Sequence, residues 1–218
     1  MSGLPGVALL VTTVCDRRCP HCCYGLSRSP EPLGAPEHHP WAWFEAAAAH
    51  LRGAVGTLYV TGGEPTLHPL FPRIAQEFRA LFQPRALALA TNGAQLVAHG
   101  ALVPCFDIVK LTDFADGAAP AAKAWLRANH PRRLRVETAA HRPLRGLGAG
   151  ARPCGRRSIL AVTPDRVWPC CVAPGLPGAR SVPLAVGWQA AAARVAPPCG
   201  GCPFGVPGGD ARRAGGPA

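Results

Sequence analysis

Apolar and polar positions fall in blocks along this chain, and the blocks predict strands separated by helices. Val7–Val14 is a short apolar run with the length of a buried strand. Pro40 stands where a helix could begin, and Trp41, Phe44, Ala48 and Leu51 recur behind it at helical spacing. Thr57–Thr61 predicts a second strand, followed by a helix with Leu70, Ile74, Phe78 and Leu81 on one face. Ala86–Ala90 and Phe106–Leu111 read as the third and fourth strands, and a helix around Ala121–Ala128 precedes a fifth at Leu134–Ala139. Strands joined through single helices mean right-handed βαβ units and a parallel sheet.

From about Leu144 the pattern changes. Gly146–Gly155 is loop-like. Ser158–Val162 and Arg166–Trp168 then flank Thr163-Pro164-Asp165, whose Pro-Asp pair suits a type I turn and predicts a hairpin. A short helix fits Leu184–Val195, and a Cys-x-x-Cys pair closes the segment. The expected organisation is one α/β unit over residues 1–145, a small cysteine-stapled subdomain over 146–204, and a disordered tail over 205–218, where no apolar periodicity remains.

Composition changes this picture little. The 218 residues can bury a full core, and the 48% hydrophobic content is that of a folded chain. The 25 glycines and 25 prolines cluster at segment joints and in the tail. The net charge of +11 is almost all arginine, Lys110 and Lys123 being the only lysines. It reads as a solvated basic surface, or as a face for an acidic partner or substrate. No Lys/Arg run interleaved with aromatics appears, which argues against nucleic acid. No apolar stretch of about 18 residues exists, so no membrane span is expected. Val7–Val11 lacks a basic leader and a small-residue cleavage site, and reads as a strand, not a signal peptide. Ten cysteines without a secretion signal point to a reducing compartment, the cytoplasm, and to metal binding ahead of disulfides.

In barrel-like α/β folds the reactive groups lie at the C-terminal strand ends. The segments that follow the expected strands are Cys15–Cys23, Gly62–Pro65, Thr91–Gly93 and Thr112–Asp113, and each is unusual. In the first, Cys15, Cys19 and Cys22 are spaced C-x3-C-x2-C. Three thiolates on one tight loop can bind three irons of a 4Fe–4S cube and leave the fourth open to a substrate or cosubstrate. A structural zinc loop is the alternative on these residues alone. In the second, Gly62 and Gly63 permit close backbone approach and Glu64 can accept hydrogen bonds from an ammonium group, although a plain Gly-Gly turn before a helix has the same sequence.

Taken together, these motifs resemble the radical S-adenosylmethionine (SAM) superfamily over about Val7 to Cys202. The resemblance implies a partial (β/α)6 TIM-like barrel in which Cys15, Cys19 and Cys22 hold a 4Fe–4S cluster and SAM chelates its open iron. Family spacing picks Cys22 over the adjacent Cys23. It implies that His21 lies beside the adenine, that Gly62, Gly63 and Glu64 hold the methionyl amine, and that Asn92 is a possible polar contact in a turn shaping the pocket. Thr112 and Asp113 stand where similar enzymes contact the ribose or carboxylate. Past the fifth strand no adenine-binding signature is visible.

A second cysteine set, Cys154, Cys170, Cys199 and Cys202, with Cys171 as the substitute for Cys170, could converge on one metal. Zinc suits four thiolates. The layout also resembles the twitch half of SPASM-type extensions, which implies one auxiliary 4Fe–4S cluster. Twitch-type dehydrogenases of aminoglycoside biosynthesis share a shortened barrel and one such cluster, and oxidise a secondary alcohol to a ketone. Cys105 reads as a small buried apolar side chain.

The reaction implied is reductive SAM cleavage and hydrogen abstraction, giving a two-electron oxidation by dehydrogenation or cross-linking. A small polar metabolite is the expected substrate, a ribosomally made peptide the alternative, and flavodoxin or ferredoxin the expected reductant. His141, Arg142 and Arg145 could face the substrate, though exposed loop residues read the same way. The competing classes are a zinc-stabilised binding module and an iron–sulfur electron carrier without SAM chemistry.

Overall fold

A computed structural model describes residues 6–17, 19, 22, 24, 37–113, 119–138, 159–170, 174 and 179–195. The strands are β1 (Gly6–Thr12), β2 (Thr57–Gly62), β3 (Ala86–Thr91), β4 (Ile108–Asp113), β5 (Leu134–Thr138), β6 (Ile159–Thr163), β7 (Arg166–Trp168) and β8 (Val182–Pro183). The helices are α1 (Trp41–Leu51), α2 (Phe71–Phe82), α3 (Ala119–Asn129) and α4 (Trp188–Ala193), with 3₁₀ turns at Pro65–Leu67 and Gly100–Cys105.

All the strands form one 8-stranded sheet in the order β5-β4-β3-β2-β1-β6-β7-β8. β1 to β5 are parallel neighbours in chain order, as the βαβ pattern predicts. β6 is also parallel, but it pairs with β1 along Gly6–Leu9, on the edge of the series opposite β5. The parallel strands are thus five in chain order plus one on the far side of the first, consistent with a partial barrel. The predicted hairpin is therefore hydrogen-bonded into the main sheet through β6. Its turn also differs: Asp165 has φ 60, so the second turn position is left-handed, as in a type II and not a type I arrangement. Aspartate tolerates that conformation better than most residues.

Alternation along the central strands decides what each face carries. Val7, Leu9 and Val11 of β1, Leu58 and Val60 of β2, Leu87 and Leu89 of β3, and Val109 and Leu111 of β4 share one core with the helices. α1 buries Phe44, Ala47, Ala48 and Leu51, and α2 buries Phe71, Ile74, Ala75, Phe78 and Phe82, both at helical spacing. Leu70, at the helix cap, and Leu81 pack half-buried against the same core, and Phe71 is fully buried beside them. The rings of Phe44 and Phe78, and of Phe78 and Phe82, meet edge-on at 5.0 Å. Each fully buried phenylalanine contributes roughly 1.5–3 kcal/mol of transfer free energy.

The connection between β3 and β4 is the 3₁₀ turn at Gly100–Cys105, not an α-helix; Pro104 inside it cannot donate a helical hydrogen bond. Cys105 is half-buried against the core there. The opposite face of the sheet carries a small cluster of Leu10, Tyr24 and Ala161, flanked by Cys22 and Trp168. Cross-strand neighbours on this face are polar towards the C-terminal ends: Lys110 is paired with Arg135, and its ammonium lies 5.6 Å from the Tyr59 ring centre.

Candidate functional site

The chain leaves β1 at Thr12 and enters the cysteine loop, which the end of β2 clasps from the side. Gly63 N–H donates to the Thr12 carbonyl at 2.7 Å and Glu64 N–H to the Val14 carbonyl at 2.8 Å. This approach requires glycine. A Cβ on Gly62 would stand 2.1 Å from the Thr12 carbonyl oxygen, and one on Gly63 2.0 Å from that of Val14. Gly62 also has φ +137, a conformation L side chains rarely adopt. The two glycines thus fix the loop against β2, which is how the structure uses the close approach their sequence permits.

Glu64 is wholly buried, and its carboxylate is heavily engaged. Oε1 accepts from Thr66 N–H at 3.2 Å, from the Thr66 hydroxyl at 2.7 Å and from the Thr91 hydroxyl at 2.7 Å. Oε2 accepts from Asn92 N–H at 2.7 Å. Burial pushes its pKa above the ordinary carboxylate value, against the pull of those donors. Glu64 therefore ties the end of β2 to the end of β3.

Thr91 and Asn92 complete the tie. The Thr91 hydroxyl accepts from Gly93 N–H at 3.0 Å. Asn92 Oδ1 accepts from Ala94 N–H at 2.8 Å, and Asn92 Nδ2 donates to Asp16 Oδ1 at 2.7 Å. The cysteine loop, Gly62–Glu64 and Thr91–Asn92 are thus one hydrogen-bonded unit at one edge of the sheet. Thr112 and Asp113 end β4 along that edge, with Thr112 half-buried.

Cys15, Cys19 and Cys22 are all half-buried and outside any disulfide. Cys22 N–H donates to the Cys19 carbonyl at 3.1 Å, closing a tight turn, and Arg17 N–H donates to Cys15 Sγ at 3.4 Å. Among the described residues no three His, Cys, Asp or Glu side chains converge as a metal-holding group, so the three thiols share a loop without meeting at one point. Burial, with the charges of Glu64, Asp16 and Cys19, pushes the Cys15 thiol up to about 12, against the Arg17 N–H. Three reduced thiols, one already accepting a backbone N–H, fit an iron–sulfur cluster as a donor set.

Cys170 is buried just beyond β7. His21, Cys23, His141, Arg142, Arg145, Cys154, Cys171, Cys199, Cys202 and residues 205–218 lie outside the described residues. Among the described residues no helix is long and apolar enough to cross a membrane.

Sequence reasoning passed over several groups that shape the site. Asp16 lies inside the C-x3-C spacing, Thr66 donates from its N–H and hydroxyl to the capping Glu64, and Tyr24, whose hydroxyl meets the Thr61 hydroxyl at 3.2 Å, anchors the far end of the cysteine loop. His38, His39 and His68 were missed as well. His68 is buried, its Nδ1 accepts from Leu70 N–H at 3.0 Å, and its Nε2 faces the His39 carbonyl at 3.0 Å. That pairing requires the neutral ring with its proton on Nε2. Thr66, two residues past Glu64 and beside Pro65, is the one local signal that a capped turn gives.

No protein-family model matches the chain, and no curated protein is similar to it in sequence. Solved structures are similar in fold. The crystal structure of BtrN in complex with AdoMet and 2-DOIA superposes with a TM-score of 0.65 at 15% identity, over 87% of this chain and 81% of that one. Selenomethionine BtrN in an open conformation gives a TM-score of 0.53 at 15% identity, over 78% and 71%. The chain accordingly has the fold of BtrN across most of its length.

Proposed function

We propose that this chain is a radical SAM enzyme catalysing a two-electron oxidation of a small polar molecule. One observation carries the reading: the cysteine loop, the Gly62–Glu64 segment and the Thr91–Asn92 turn form one hydrogen-bonded unit at the strand ends. The fold it shares with BtrN, a protein crystallised with AdoMet, supports it. In this reading Cys15, Cys19 and Cys22 close around a 4Fe–4S cluster and the backbone of Gly62–Gly63, with Glu64, borders the methionyl amine of SAM. Bound together, cluster and SAM would supply the one-electron reductive cleavage that makes hydrogen abstraction from a substrate possible.

The chain's own residues do the rest. Glu64 holds Thr91 and Asn92 in place, and His21, Thr112 and Asp113 border the remainder of SAM. The polar sheet face with Tyr59, Thr61, Lys110 and Arg135 supports a polar substrate over an apolar one. Cys154, Cys170, Cys199 and Cys202 would hold an auxiliary 4Fe–4S cluster, which would supply an acceptor for the substrate's second electron. Anaerobic reconstitution followed by iron, sulfide and zinc analysis tests the metal assignment. Iron and sulfide for two clusters are expected, with one cluster lost when Cys15, Cys19 and Cys22 are replaced by alanine. Two zincs and no sulfide would overturn it.

A further inference from the structure

Asn92 is committed on both sides of its amide. Its backbone N–H goes to Glu64, its Oδ1 caps Ala94 N–H, and its Nδ2 reaches Asp16 Oδ1 at 2.7 Å. Asn92 is buried, 7% exposed, so an amide hydrogen removed from Asp16 would lack a replacement partner of equal strength. Asp16 is exposed, and lies between Cys15 and Cys19. Its Oδ1, the oxygen that takes the Asn92 hydrogen bond, also stands 3.9 Å from Cys15 Sγ. The far end of the loop is fixed separately, by Tyr24 against Thr61.

Resting on the reading of this loop as a cluster loop, we propose that Asn92 and Asp16 are positioning residues: a charge-assisted hydrogen bond between them latches the cysteine loop to the turn after β3 and sets where Cys15 points. Asn92 then works through the loop and not by touching SAM.

A charge swap tests this in the full-length protein. Asn92→Asp sets two carboxylates face to face, whereas Asp16→Asn with Asn92→Asp restores a bond of reversed polarity and still caps Ala94. Iodoacetamide alkylation of Cys15, located by peptide mass spectrometry on the metal-free chain, is expected to be several-fold faster in Asn92→Asp, because freeing the loop outweighs the added carboxylate, which alone would slow the thiolate reaction. The swap is expected to return to the wild-type rate. After anaerobic reconstitution, cluster content and the EPR line shape of the reduced cluster should follow the same order. Asn92→Ser, too short to reach Asp16 but able to cap Ala94 N–H and adding no charge, should also speed alkylation and decides the matter if Asn92→Asp does not fold. Equal alkylation in all variants, or a swap as impaired as the single variant, overturns the latch. So does a loss of SAM affinity in both Asn92→Asp and the swap with Cys15 reactivity unchanged. A wild-type protein that takes up no cluster sinks the functional proposal, while the alkylation series still decides the latch.

Discussion

Gly63 packs where a single methyl group would overlap the Val14 carbonyl at 2.0 Å, and the overlapped atom is backbone that cannot swing aside. Gly63→Ala is therefore expected to cost at least about 1–3 kcal/mol of stability, read from urea unfolding. Glu64→Gln replaces one carboxylate oxygen with an NH₂ group. In either orientation this faces a backbone donor, Thr66 N–H or Asn92 N–H, so a loss of about 1–3 kcal/mol is expected by the same measurement. His68 carries a pH dependence. Burial takes its pKa from the ordinary 6.5 to about 4, with the neighbouring His38 and His39 acting in the same direction and the His39 carbonyl opposing. The unfolded chain thus binds a proton below about 6.5 that the folded chain refuses. Stability is fully present above that pH and falls towards pH 4, by up to about 1.4 kcal/mol per pH unit. His68→Asn keeps an acceptor for Leu70 N–H and should flatten this part of the unfolding-free-energy profile. The Gly62–Glu64 motif was legible because its residues are adjacent in sequence. The His68 tautomer was not, since His39 stands 29 residues away.

Helix and strand positions followed the apolar period closely where that period was unambiguous, as in α1, α2 and β1 to β3. Periodicity places an element but does not name its neighbour. Nothing in Ser158–Val162 distinguishes a strand beside β5 from one beside β1, and only the pairing of Ile159–Val162 with Gly6–Leu9 settles it. The two-residue β8 was too short to register as a pattern. α4 illustrates how far the C-terminal part joins the main core. Trp188 is 2% exposed, packs in the cluster that holds Val7 and Phe44, and donates from Nε1 to the His50 carbonyl at 3.0 Å. Trp188→Ala is therefore expected to lower stability by about 3–5 kcal/mol, seen as an earlier midpoint of a single chemical unfolding transition. A negligible effect, or a separate early transition confined to this segment, would mean that β6 to α4 fold apart from the sheet.

At the scale of the whole molecule, the parallel sheet gathers at one edge motifs that lie far apart in the chain. The sequence reading anticipated that edge because strand ends are where such folds place chemistry. It did not anticipate that Asn92 and Glu64 would spend their polar atoms on holding the cysteine loop, because hydrogen-bond partners across a sheet leave no spacing signature. The most direct test of the central claim is to incubate the anaerobically reconstituted, reduced protein with SAM and quantify 5′-deoxyadenosine by chromatography. Release of 5′-deoxyadenosine is expected from the wild-type protein and not from the Cys15→Ala variant. A cluster-loaded wild-type protein that releases none under several reductants would contradict the assignment.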